Sequence, residues 1–302
     1  MERNFDTFVG IDLGGARGKT TAVAVLSTST ELTEPSDGEV SVDDVSTRSA
    51  NAQPWVDDLL IDFVAAQPPG RLVVAVNAPL TVPACVRCRE EVCPGQDRCV
   101  DPAVVWLRTQ GQELVRQAHA QDLDRIAAVP AGRAVAAPSP ILEPPAQRLA
   151  PYVHRCSEID LHFGRGVLSR DCIGGASSPI AARAAYLVRL LGSDGFQLNR
   201  NLIEVSPRAT VHALFGADEA RGYKRDADPW HTRARIVEGL HGLRFSRRSR
   251  LSREEVLRND HCFEAMLSAY TAFLWARDGW ALPDDDHELY DRDGFVWAPP
   301  NS

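Results

Sequence analysis

Lysine is nearly missing from this chain. Lys19 and Lys224 are its two lysines, and arginine supplies the rest of the 33 basic residues. No run of about 18 apolar residues occurs, which argues against a membrane-spanning helix. The opening Met1-Glu2-Arg3-Asn4 lacks the basic region and apolar core of a secretory signal, so a cytoplasmic protein is expected. Cysteine numbers seven, an odd count in a chain without an export signal. That argues against a disulfide framework and for metal ligation or plain burial. No internal repeat is visible. An excess of positive charge is lacking too: the formal net charge is −8, which argues against loose binding of nucleic acid over the whole surface.

What is present is an ordinary globular composition, 44% hydrophobic and 25% charged over 302 residues. That length supports one large domain with an insertion, or two domains. The charge is uneven. From Arg221 to Arg258 eleven basic and five acidic residues give +6, leaving −14 elsewhere. Within this segment Arg244, Arg247, Arg248, Arg250 and Arg253 form a basic stretch. It reads either as a solvated loop and helix start or as a contact for nucleic-acid phosphates.

Residues 8–13 read as a buried strand, followed by a glycine turn from Gly14 to Gly18. A second strand is predicted over 20–26, a third near 39–45, and an exposed Ser/Thr/Glu-rich loop joins them. Trp55, Leu59, Leu60, Phe63 and Val64 recur at helical spacing, so 54–66 is an amphipathic helix. Pro68, Pro69 and Gly70 stop it, and 71–77 is a strongly apolar strand. A hairpin, then a crossover helix into a parallel strand, implies a mixed sheet. This is the opening of an α/β, ribonuclease H-like fold, its mixed sheet flanked by helices. We expect residues 1–79 and 201–302 to form that domain, with 80–200 as a large mid-chain insertion. The insertion holds a cysteine-rich loop, a helix near 103–121, a Pro/Ala-rich stretch over 129–151 and a helix near 179–191. After it come a strand ending near Glu204, a helix from Pro207 to about Leu214, helices over about 229–241 and 252–276, an acidic loop at Asp284–Asp286 and a short strand at 294–298.

Four acids stand where such a fold could gather them. Asp12 ends the first strand. It could hold a metal ion, or cap the glycine turn through backbone amides. With Lys19 nearby, the same segment also resembles the first phosphate loop of sugar kinases and actin-like ATPases. Asn77 ends the central strand, where it could lend a carbonyl oxygen to the same cleft or cap the turn before Pro79. Glu204 lies in an otherwise apolar strand, and burying a charge is costly unless it is paired or metal-bound. A metal ion or an arginine such as Arg155 or Arg183 would serve. Asp260 and Glu264 share one helical face at i, i+4, where like charges repel unless a cation joins them. His261 falls on a different face and reads as structural or supporting.

These positions resemble the domain-of-unknown-function 429 family, predicted nucleases of the ribonuclease H-like superfamily. The resemblance runs through VGIDLGG near the start, VNAPLTVP after the central strand, YVHRCSEIDL at 152–161, LIEVSPRA at 202–209, DHCFEAMLSAYTA at 260–272 and DGFVWAPP at 293–300. It implies that Asp12, Glu204, Asp260 and Glu264 ligate Mg²⁺ or Mn²⁺, and that Arg155 and Glu158 line the cleft. The chain departs from the family in having Asn77 where Asp is usual and Glu264 where Asp is frequent.

A separate cluster, Cys85, Cys88, Cys93 and Cys99, places four thiols within fifteen residues. Four thiolates suit a tetrahedral Zn²⁺ ion. They also suit an iron–sulfur cluster, and reduced loop cysteines are the plain alternative. The polar loop has little apolar surface to bury them, which favours a metal clamp, with zinc first. Cys156, Cys172 and Cys262 read as small buried hydrophobes. The expected activity is phosphodiester hydrolysis of two-metal type. An ATP-binding phosphotransferase of actin-like class would need a second phosphate loop, for which Asp171 to Gly175 is the one candidate. A scaffold whose site decayed at Asn77 is the noncatalytic alternative.

Overall fold

A computed structural model describes residues 4–15, 20–28, 38–127, 149–167, 172–174, 177–247, 249–283 and 287–300, with side chains from 122 to 127 left aside. Lys19 and most of its turn, most of the Pro/Ala-rich stretch, Asp171, Gly175, Arg248 and the acidic loop Asp284–Asp286 lie outside the described residues. The chain forms two compact units: Met1–Thr81 with Gly175–Ser302, and Val82–Gly174.

The first unit opens with β1 (Thr7–Asp12), β2 (Ala22–Ser27), β3 (Val40–Ser46), α1 (Asp57–Ala65) and β4 (Leu72–Asn77). The second unit contributes α2 (Ala84–Arg87), α3 (Pro102–Trp106), α4 (Gln112–Ala127) and α5 (Cys156–Ile159). Wide π-type turns at Leu107–Gly111 and Asp160–Gly164 extend α3 and α5. The first unit then resumes with α6 (Ser178–Ser193), β5 (Leu202–Val205), α7 (Pro207–Phe215), α8 (Ala217–Arg225), α9 (Pro229–Gly239) and β6 (Leu243–Phe245). It ends with α10 (Arg253–Arg258), α11 (Asp260–Arg277), α12 (His287–Asp293) and β7 (Val296–Trp297).

The strands form one mixed sheet in the order β6-β3-β2-β1-β4-β5-β7. β2 runs antiparallel to β1 and β3, while β4 and β5 continue parallel to β1. β1 is central and covered on both faces, which is why Phe8, Val9 and Ile11 are all buried. One face packs on α1 and α6 through Ile11, Val74, Val76, Leu60, Ala184 and Leu187. The other packs on α11, whose residues Cys262 to Trp275 are all buried. That helix shows no polar stripe, as expected of one enclosed by the protein.

Gly10 explains how closely α11 lies on the sheet. A Cβ placed there would collide with the Ala265 carbonyl and the Ala269 amide. Only glycine lets helix backbone and strand backbone meet so tightly.

Three expectations about elements change. The single helix over 252–276 is two helices, because Asn259 breaks it and caps α11 with Oδ1 on the amides of His261 and Cys262, at 3.0 and 3.3 Å. Asp260 therefore starts a helix instead of sitting inside one. The second unit closes at Gly174, short of residue 200, since α6 buries Ala184, Leu187 and Leu191 in the core of the first unit. The segment 217–225, without an expected element, is the helix α8, starting with Asp218 and Glu219 and ending with Lys224 and Arg225.

Candidate functional site

The pleat and register of the sheet decide which acids can meet. Asp12 and Asn77 are register partners at the parallel ends of β1 and β4. Side chains alternate along a strand, so Asp12 falls on the face of Gly10, towards α11. There α11 brings up Asp260, His261 and Glu264 from its first turn and a half.

Asp12 is buried at 7% exposure. Its Oδ1 accepts a hydrogen bond from Asn77 Nδ2 at 2.7 Å, and its Oδ2 lies 2.6 Å from His261 Nδ1. His261, read from the sequence as a structural or supporting residue, is thus a direct partner of the central aspartate. The break at Asn259 restarts the helix there, a tertiary choice that periodicity alone does not reveal. The Asp12 hydrogen bond raises the pKa of His261 above its ordinary value of 6.5, against the opposing effect of burial. Asp12, Asp260 and Glu264 all push it the same way.

Glu264 is buried at 5% exposure. Its Oε1 accepts from Tyr223 Oη and pairs with Lys224 Nζ, each at 2.7 Å. Burial first, then the nearby Asp12 charge, raise the Glu264 pKa, while Lys224 lowers it. The Tyr223 hydroxyl is held well above its usual range by burial and by Glu264. Behind these groups the buried Arg233 donates to the carbonyls of Tyr223 at 2.8 Å and Leu257 at 2.9 Å. Its nearby acids are Asp260 and Glu264. Sequence reasoning passed over Tyr223, Lys224 and Arg233. The acid-to-base gradient along 217–225 was the available signal for a helix, but nothing in it pointed to Glu264.

Glu204 does not join this group. It is the register partner of Val76 and shares a strand face with Leu202. Both belong to the α1–α6 core, so Glu204 projects from the opposite face of the sheet to Asp12. It is 3% exposed, and its Oε2 accepts from the Leu80 amide at 2.8 Å, pinning the turn after β4. Arg183, one imagined partner, is bound instead to Asp57 at 2.6 Å and to the Gly14 carbonyl at 2.5 Å. It therefore anchors the turn that follows Asp12.

Arg155 and Glu158 belong to the second unit and pair with each other, Nε to Oε1 at 3.0 Å, in a capping box at the start of α5. At 1% exposure Arg155 offers no open guanidinium to a phosphate. In the basic stretch Arg244 pairs with Glu39, Arg250 with Asp44 at 2.5 Å, and Arg253 with Glu238 at 3.2 Å. Three of the five arginines thus have an acidic partner.

Cys85, Cys88 and Cys93 are exposed and Cys99 is half-buried. Cys156, Cys172 and Cys262 are buried as expected, and burial pushes the Cys262 thiol up to about 12. Among the described residues, no three His, Cys, Asp or Glu side chains are gathered tightly enough to hold a metal ion. No helix among them is long and apolar enough to cross a membrane.

A family model described as protein of unknown function, DUF429, matches residues 10–288. No curated protein and no solved structure matches the chain.

Proposed function

Since the chain belongs to the DUF429 family, whose description assigns no activity, we propose its function from the site: divalent-metal-dependent hydrolysis of phosphodiester bonds in nucleic acid, on a ribonuclease H-like fold. The observation that carries this reading is the contact of buried Asp12, at the end of the central strand, with His261 in the first turn of α11, the helix that also carries Asp260 and the buried Glu264. Asp12 and Glu264 are buried carboxylates, and buried charge is costly unless it is paired or metal-bound. Lys224 pairs with Glu264 and His261 with Asp12, standing where a cation of higher charge would serve. The meander of β1, β2 and β3, followed by parallel β4 and β5, supports the fold assignment.

In this proposal Asp12, Asp260 and Glu264 hold Mg²⁺ or Mn²⁺, and Asn77 orients Asp12 by its amide. A bound divalent ion would supply an acidified water and charge stabilisation for the leaving oxygen. Glu264 must be ionised to take part, so its raised pKa sets protons in competition with metal. His261, half exposed, can move a proton between Asp12 and solvent.

Purified protein is incubated with single- and double-stranded DNA and RNA in Mg²⁺ or Mn²⁺. Cleavage is expected, abolished by chelator, and lowered more than about a hundredfold by Asp12→Asn, beyond the loss typical of outer residues around a metal. No cleavage of any substrate, together with unchanged metal binding by Asp12→Asn, would falsify the assignment.

The 2.6 Å contact of Asp12 with His261 favours one second reading, a metal-free dyad in which Asp12 orients His261 as general base. Hydrolysis that survives chelator but not His261→Gln would select it.

A further inference from the structure

We propose that Trp230 and Arg258 form a platform at the rim of the acidic site, on which one unpaired base of single-stranded nucleic acid stacks. This deepens the nuclease reading and rests on it for the class of ligand. Of the six tryptophans, Trp55, Trp106, Trp275 and Trp297 are buried and Trp280 is half-buried. Trp230 is 53% exposed. An indole left largely in water is unusual, since burying it would remove a large apolar area from solvent. Trp230 stands in the first turn of α9, whose inward face buries Thr232, Arg233, Ile236 and Val237. The guanidinium of Arg258, at the end of α10, lies over its ring at 5.9 Å from the centroid.

Hydrogen bonds tie this pair to the acids. Arg233 follows Trp230 by three residues, so the two share a helical face. Arg233 is buried, and its Nε donates to the Tyr223 carbonyl at 2.8 Å and its Nη1 to the Leu257 carbonyl at 2.9 Å. Tyr223 in turn donates its hydroxyl to Glu264 at 2.7 Å. Leu257 immediately precedes Arg258, and Asp260 opens α11 two residues later. One buried arginine thus fixes α9 to α8 and α10, and Tyr223 of α8 reaches Glu264 on α11.

Charge complementarity selects the occupant. Arg258 is exposed, and among the described residues no carboxylate lies within ion-pair distance of it, whereas Arg244, Arg250 and Arg253 each have one. Glu255, three residues before it on α10, is engaged with Ser252, whose amide and hydroxyl donate to it at 2.8 and 2.9 Å. Arg258 is therefore open to a phosphate. Two acids lie at the start of α9: Asp228 accepts from the His231 amide at 3.1 Å, and Asp226 from the Thr232 hydroxyl at 2.6 Å. Their charge disfavours a phosphate beside the indole and leaves the neutral face of a base as the fitting partner there. A base on Trp230 with its phosphate on Arg258 satisfies both. In a duplex the faces of each base are covered by its neighbours, so the platform selects single strands. The net charge of −8 agrees with a local foothold in place of general attraction.

The test is equilibrium binding by the full chain in Ca²⁺, with strands confirmed intact on gels. The probes are fluorescent oligothymidylate, oligouridylate, a duplex of equal length and an abasic strand that keeps the phosphates. Wild type should bind both single strands more tightly than the duplex or the abasic strand. Trp230→Ala should weaken single-strand binding about 5- to 150-fold, the range for loss of one base stack, and leave abasic binding unchanged. Trp230→Phe, which keeps a ring, should stay close to wild type. Arg258→Gln should lower the slope of log affinity against log salt by about 0.7, the share of one phosphate. Both side chains are exposed, so the variants should melt as wild type does. Unchanged single-strand binding by Trp230→Ala, an equal loss on the abasic strand, a preference for duplex, or no binding by wild type overturns the proposal. Single strands bound through Trp230 yet left uncleaved in Mg²⁺ or Mn²⁺ would keep the platform and remove the nuclease. Cleavage indifferent to Trp230 would do the reverse.

Discussion

At the level of single residues, His261 and Glu204 make opposite demands on the site. His261 Nδ1 shares a short contact with Asp12 Oδ2, and that contact raises its pKa above 6.5. A group raised in the folded state stabilises the fold fully below its unfolded value and loses that contribution as pH climbs through the folded one. Metal-free wild type should therefore exceed His261→Gln in stability most clearly below pH 6.5, with the gap closing towards alkaline pH. Because the His261 side chain is 42% exposed, the gap should stay within about 1 kcal/mol. Thermal melts across the pH series check this, and a gap that widens with pH would refute the pairing. Glu204 carries a different expectation. Glu204→Ala leaves the buried Leu80 amide without its partner and should cost about 1–3 kcal/mol in chemical denaturation. Glu204→Gln keeps an accepting oxygen and should cost much less. It should also leave metal-dependent cleavage near wild type, whereas abolished cleavage would restore Glu204 to the metal site. The rank of Glu204 as an uncommon acid in an apolar strand was readable in the sequence. Its face was not, because one residue of register decides it.

Among the elements, the pairing of β1 with α11 sets the geometry of the acids. Gly10 lets the helix backbone sit against the strand backbone, so Asp12 and Glu264 are positioned by main chain more than by side-chain packing. Gly10→Ala should overpack this contact. Because the neighbours are backbone atoms that cannot rotate away, a loss at or above the usual range of about 1–3 kcal/mol is expected in urea denaturation. A neutral effect would show that the helix can slide. The strands β1 to β4 and helices α1, α6, α7 and α9 were legible, since long apolar runs, helical spacing and prolines or serines at helix starts mark them directly. The break at Asn259 was not legible. Asn259 follows Arg258 with no glycine or proline, and only the cap geometry reveals that a new helix begins. The short strand β7 falls within the expected 294–298, whereas β6, three residues paired with the sheet edge at β3, was not foreseen.

For the whole molecule, charge balance was legible as a number, whereas the pairing of its charges was not. Arg244 and Arg250 belong to a stretch that could contact phosphates, and Glu39 and Asp44 come from distant positions to meet them. Sequence separation hides such pairings. The same holds for the ammonium of Lys224 against Glu264, which spans two helices that no local pattern connects. In a chain with just two lysines, that ammonium becomes an addressable amine. An acylating mass tag has few targets here, and its yield at Lys224 gauges how firmly Glu264 keeps its counter-ion. Saturating Mg²⁺ that captures the carboxylate should liberate the amine and speed its tagging; an unchanged rate would mean that the ion binds elsewhere. A compositional scarcity thereby supplies a footprint of site occupancy that needs neither a substrate nor a turnover assay.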